Sequence, residues 1–228
     1  MRNNKSTFDR GFRTLFEDSV RLLLASEKNL FKDDSQYSFA RASIVSSMMI
    51  PEVCSNICIE SLKLENSIFN DIDKLSPIGK FDFFLRVNFK DKKINKGVKV
   101  VQALQELKKL RDKFVHPKKT KVFWSKSQED EDTFDGISEK TPILQISVNP
   151  DLWYQDDAIK AMNGVHSFMA YFFKELCRFS QKKVTSMLFA EDEEIPDSDP
   201  LVFYYDKEFH RNLKRWKINT SYFRIGRL

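Results

Sequence analysis

"KGVKVVQALQELKKLRDKFVHPKKTK", residues 96–121, decides how this chain is read. On a helical wheel of about 100° per residue, Val100, Ala103, Leu104, Leu107, Leu110 and Phe114 share one stripe. The segment 96–116 is therefore expected to be an amphipathic helix. Arg111 falls near the middle of that stripe, whereas Lys108, Lys109 and Lys113 fall outside it. A guanidinium on a packed face needs a partner or a wet crevice, because an unpaired buried charge costs on the order of several kcal/mol. Pro117 stops the helix and disfavours helical backbone at His116, so the chain is expected to leave the helix there. Five helical residues turn through about 140° beyond one full turn, so Arg111 and His116 diverge on an ideal helix. Leaving the helix at His116 frees the imidazole to swing, and a helix C-terminus favours a cation. Lys118, Lys119 and Lys121 follow at once and, with Lys113, are suited to holding phosphates.

Working outward, the same periodicity predicts helices over 8–31, 35–64, 76–89 and 149–179. Pro51 should kink the second of these, because a proline inside a helix removes one donor and crowds the preceding turn. Ser76 is a cap and Pro77 a first-turn residue for the third. On the second helix, Met48, Met49, Glu52 and Asn56 share one face with Val45, placing a carboxylate and an amide one turn apart on an apolar stripe. Glu52 is the simplest partner for Arg111, across a bundle. Between the fourth and fifth helices, "KVFW" and "PILQISV" read as strands around a polar excursion at about 117–148. The expectation is an all-α bundle over 1–180 with a small β-hairpin insertion, followed by an acidic loop and a basic, aromatic C-terminal extension over 181–228.

The chain has 228 residues, 41% hydrophobic and 31% charged, which is the composition of a globular protein with a real core. Net charge is +5, too mild by itself to name a partner. Its distribution is uneven: twelve Lys/Arg stand between Lys90 and Lys121 against Asp91, Glu106 and Asp112. Three cysteines without a disulfide or zinc spacing favour a reducing, cytoplasmic setting. The start lacks the apolar run of a signal peptide, and no stretch is read as long and apolar enough to span a bilayer, so no membrane partner is expected. Gly-rich phosphate loops, nucleophile elbows and HExxH motifs do not occur, which leaves nucleotide hydrolases, α/β-hydrolases and zincins unsupported.

Each candidate residue has a plain reading beside its chemical one. Arg111 is either a reactive group or an arginine that snorkels its head outward or caps a buried carboxylate. His116 is either a general acid–base or a C-terminal cap. Glu52 is a structural or dimer-seam carboxylate before it is a catalytic one. His166 lies among apolar neighbours and reads as a core histidine, while His210 reads as an exposed bystander in the basic tail. Cys54 and Cys58 pack one turn apart. The acidic runs at 129–139 and 191–199 read as solvated loops rather than metal sites. Tail aromatics Phe203, Tyr204, Tyr205, Phe209, Trp216, Tyr222 and Phe223 either stack RNA bases or pack on the bundle or a second subunit.

"RDKFVH", residues 111–116, matches the R-x4-H signature of HEPN domains, including the polar residue, Asp112, after the arginine. "ARASIVSSMMIPEVCSNICIESL" resembles the long early HEPN helix, whose small residues lead to a Glu and then an Asn. "SPIGKFDFFL" resembles the helix that follows, and "LQELKKLRDKFVHPK" the motif helix. The resemblance covers roughly residues 8–180 without the hairpin. It implies a homodimeric bundle in which two Arg/His pairs meet across a two-fold axis, acting as a metal- and cofactor-independent endoribonuclease of the toxin or phage-defence kind. In it His116 would be the general acid or base, Arg111 the phosphoryl-charge stabiliser, and Asp112 or Glu52 an orienting group. Lys113, Lys118, Lys119 and Lys121 would hold RNA. An antitoxin or other protein partner is also implied. Some family members have lost activity and serve as interaction modules, which is the rival expectation here.

Overall fold

Gly11, at φ 71°, starts α1 (Phe12–Glu27). The computed structural model describes residues 11–28, 35–119, 121–126, 134–189 and 202–228. Most of the acidic runs, at 129–133 and 191–199, and residues 1–10 lie outside the described residues. After α1 come α2 (Ser35–Glu60), α3 (Asn66–Asp73), α4 (Pro77–Asn88) and α5 (Lys99–Val115). A short hairpin of β1 (Phe123–Lys126) and β2 (Phe134–Ile137) precedes α6 (Gln155–Ala170), which continues as a π-helical turn over Tyr171–Leu176. The remainder is α7 (Gln181–Phe189), β3 (Phe203–Tyr205), α8 (Lys207–Arg215) and β4 (Ile225–Arg227). The protein is mostly helical, as the periodicity predicts.

α2 is the central element and touches α1, α3, α4, α5, α6 and α7. Its small residues permit close approach: buried Ser43 donates from Oγ to the Ser19 carbonyl of α1 at 2.6 Å, and Ser47 to the Ser43 carbonyl at 2.9 Å. Contrary to the sequence expectation, α2 is long and apolar enough to cross a membrane, with mean hydropathy 1.4 over an 18-residue window. That window is 61% buried inside the protein itself, because α1, α4 and α6 cover it. The helix continues across Pro51, which is buried. Ser76 caps α4 as expected, its Oγ accepting from the Gly79 N–H.

The expected strand over 142–148 does not form. β1 pairs antiparallel with β2, inside the stretch read as a polar loop, and 142–144 is a turn instead. The cause is a set of side-chain acceptors that take the backbone donors a partner strand would need. Buried Glu106 on α5 accepts from the Ile143 and Leu144 N–H groups at 2.8 and 2.9 Å, Thr141 Oγ1 accepts from Ile146, and Gln145 sits at φ 57°. A buried carboxylate with two backbone donors is a strong anchor.

The C-terminal segment packs inward. Phe203, Tyr205, Phe209, Tyr222 and Phe223 are buried around Phe12 and Phe16 of α1, with ring centroids such as Phe12–Phe223 5.3 Å and Phe16–Phe209 5.5 Å apart. Each such ring contributes about 1.5–3 kcal/mol on burial. Tyr204 alone of that β3 run faces solvent. β3 and β4 pair in parallel, and Gly226 admits this because a Cβ there would meet the Tyr204 ring at 2.6 Å. His210 is half-buried and its Nε2 meets the Gly226 carbonyl at 2.7 Å, so it ties α8 to β4 rather than standing by in solvent. All three cysteines are buried free thiols.

His166 is fully buried, its Nδ1 2.9 Å from the Tyr222 hydroxyl, and burial pushes its pKa from 6.5 down to about 3. Between those values the unfolded chain binds a proton that the folded chain refuses, so this group's contribution to stability is complete above pH 6.5 and is lost as pH falls. The slope in that window is up to about 1.4 kcal/mol per pH unit. Urea midpoints of wild type and His166→Asn across pH 7 to 4 should therefore converge as pH falls; parallel curves would show that His166 is not the group responsible.

Candidate functional site

Two polar positions on the apolar face of α2, Glu52 and Asn56, need partners, and α4 and α5 supply them. Lys80 of α4 is almost wholly buried, and its ammonium reaches three acceptors: Asn56 Oδ1 at 2.7 Å, Asp73 Oδ1 at 2.8 Å and Glu52 Oε1 at 3.3 Å. Three acceptors match the three protons of an ammonium, which is the condition for tolerating a buried cation. The other Glu52 oxygen meets Arg111 Nη1 at 3.3 Å. Arg111 also reaches Asp112 Oδ1, through Nη2 at 3.2 Å, and Asp112 Oδ2 accepts from Lys108 at 2.7 Å. The chain of groups runs Asp73–Lys80–Glu52–Arg111–Asp112–Lys108, spanning α3, α2, α4 and α5.

This places the expected residues as follows. Glu52, Arg111 and Asp112 come together, with the Arg111 side chain 23% exposed, so the guanidinium is neither sealed nor free. The Lys108 hydrogen bond, and after it Arg111, hold the Asp112 carboxyl below its usual range. Asp112 is thus an ionised acceptor suited to orienting Arg111 rather than to moving a proton. His116 leaves the helix as Pro117 dictates, at φ −122° and ψ 72°, and is exposed. Among the described residues no hydrogen bond joins it to Arg111. Lys121 lies 4.7 Å from the centroid of the Phe123 ring, on the hairpin side.

A cleft of about 440 Å³ opens beside the end of α5, lined by Lys113, Phe114, Pro117, Lys118, Lys119 and the turn Val148–Asp151. It holds three of the four lysines expected to bind phosphate. Arg111 and His116 do not line it, although both stand on the same helix end. Phe114, which the wheel places in the packed stripe, is instead 40% exposed, with its ring stacked on buried Trp153 at 5.7 Å.

Sequence reading missed Lys80, Asp73 and Glu106. Lys80 sits between apolar Ile78 and Phe81, both buried, so a lysine on the packed face of α4 was a signal of the same kind as Arg111. Asp73 carried none, because α3 was not recognised as a helix. Among the described residues no group of three or more His, Cys, Asp or Glu is arranged to hold a metal ion.

Replacing Lys80 with Met keeps its length and leaves Glu52 and Asp73 facing a neutral group. Both carboxylates are partly wet, so the expected cost is about 2 kcal/mol rather than the roughly 3–5 kcal/mol of a sealed pair. It should appear as a lower urea midpoint with an unchanged slope; an unshifted midpoint would mean that the ammonium does no more than a thioether.

No protein-family model, no curated protein and no solved structure matches this chain.

Proposed function

We propose that the chain is a HEPN-like bundle acting, as a homodimer, as a metal-independent endoribonuclease of the toxin or phage-defence kind. The observation that carries this reading is a partly exposed Arg111, braced by Glu52 and Asp112, on the same helix end as an exposed His116 where the helix breaks. The proposed step begins with the ribose 2′-hydroxyl losing its proton to an imidazole. The 2′-oxygen attacks the adjacent phosphorus, and the bond to the 5′-oxygen breaks as that oxygen takes up a proton from an acid. The products are a 2′,3′-cyclic phosphate and a 5′-hydroxyl, with no metal or cofactor in the balance.

Proton transfer of this kind contributes about 10² to 10⁴ in rate. A guanidinium aimed at the phosphoryl oxygens stabilises the charge that builds there, and its prior fixation by two carboxylates means little reorganisation during reaction. Two protomers would bring two histidines to one linkage, allowing one to act as base and the other as acid.

A second reading is favoured by one feature. Glu52 and Asp112 already engage Arg111, and neither Arg111 nor His116 lines the neighbouring cleft. A structural guanidinium of this sort suits a catalytically silent interaction module that uses the α2–α5 face to dimerise, in a larger defence or regulatory assembly or with an antitoxin.

Incubating the protein with total RNA in EDTA distinguishes the two. The nuclease should cleave in chelator and leave cyclic-phosphate ends, with His116→Ala and Arg111→Ala each slower by at least about a hundredfold. Folded variants that cut as fast as wild type, or a wild type that leaves RNA intact, would remove the nuclease reading.

A further inference from the structure

The cleft at the end of α5 contains a polar group that its structural role uses only in part. Asn149 is only 6% exposed. Its Oδ1 accepts from the Asp151 N–H at 3.2 Å and caps the short turn Pro150–Leu152, while its backbone exchanges hydrogen bonds with Ser147. The side-chain Nδ2 donates to no described group, although Asn149 lines the cleft. The amide is not sealed from solvent, so its donor is open to an acceptor that enters the cleft, and something outside the chain can take it.

What surrounds it defines that something. Lys113, Lys118 and Lys119 bring ammonium groups to the walls, and Phe114 adds an aromatic ring that is 40% exposed and supported from behind by Trp153. Asp151 adds one carboxylate at the turn, an acceptor for N–H groups, so the cleft is not a uniform sink for anions. A volume of about 440 Å³ falls in the range of small-ligand sites, roughly 300–1,000 Å³. Cations with an amide donor fit a phosphodiester. An accessible ring fits a base, which stacks only when it is not held inside a duplex.

We infer that this cleft is a subsite for one unpaired nucleotide of single-stranded RNA, its phosphate on Asn149 Nδ2 and the lysines and its base against Phe114. The inference rests on the nuclease reading for its biological sense, but not for its test. In it the cleft is the place where the strand is gripped next to the Arg111/His116 helix end, and it makes unpaired RNA the substrate class. Asn149 and Phe114 are binding residues that take no part in bond breaking.

The test measures binding by fluorescence anisotropy of a labelled, single-stranded 2′-O-methyl oligoribonucleotide, which lacks the attacking hydroxyl. Asn149→Asp retains an oxygen to cap Asp151 but replaces the donor with an anionic acceptor, so its melting temperature should match wild type while affinity falls at least tenfold. Asn149→Ser, which keeps a capping oxygen without the charge, should also lose affinity. Phe114→Leu should weaken binding similarly, and Lys119→Gln should reduce the salt dependence by about one phosphate contact. The same sequence as a duplex should compete poorly. Unchanged affinity in the Asn149 and Phe114 variants, or a duplex that competes as well as the single strand, would overturn the subsite. Chelator-resistant cleavage with unaltered binding in the variants would leave the nuclease standing and the subsite refuted. Variant-sensitive binding without any cleavage would do the reverse.

Discussion

Glu52 lies in the middle of a helix that the protein must cover on nearly every side, and the rest of the structure answers that constraint. α2 is apolar around most of its circumference, so α1, α4 and α6 are drawn onto it by burial alone. A carboxylate placed there needs cations to meet it. Lys80 comes from one neighbouring helix and Arg111 from another, each taking one carboxylate oxygen. Burial is non-directional, whereas these contacts specify which faces of α4 and α5 turn toward α2.

The same constraint prepares a site. Because Glu52 and Asp112 hold the guanidinium from two sides, Arg111 keeps one orientation while nearly a quarter of its side chain stays open to water. The helix then ends one turn later, where Pro117 forbids continuation and leaves His116 on the surface. A braced guanidinium and an exposed imidazole are thereby put on one element. The flanking cleft adds cations, a ring and the Asn149 amide, and Glu106 pins the preceding turn at Ile143 and Leu144 to α5. Three features of the α5 segment, namely its buried acid, its partly exposed arginine and its proline stop, thus organise the helix end.

Legibility varied with how local the cause was. Helix positions for α1, α2, α4, α5 and α6, the Ser76 cap and the break at His116 follow from side-chain period and backbone sterics, which act within a few residues. The Arg111–Glu52 pair was also readable, because a charge on each of two apolar faces leaves few other ways to compensate both. The hairpin was misread: β-branched residues over 142–148 have strand propensity, but Glu106, 37 residues earlier, captures the backbone donors at Ile143. Tyr205, Phe209, Tyr222 and Phe223 left two outcomes open in the sequence, and α1 decided for packing by offering Phe12 and Phe16.

By itself the sequence determined a mostly helical chain, the carboxylate and guanidinium that must meet, and the point where α5 stops, since all three depend on periodicity, charge balance and proline geometry. Only the tertiary structure decided that Lys80 and Asp73 join that pair, that Phe114 faces a cleft rather than the core, and that Asn149 presents a donor to it. Those outcomes depend on which surfaces are left over once the helices have packed, and no segment carries that information alone.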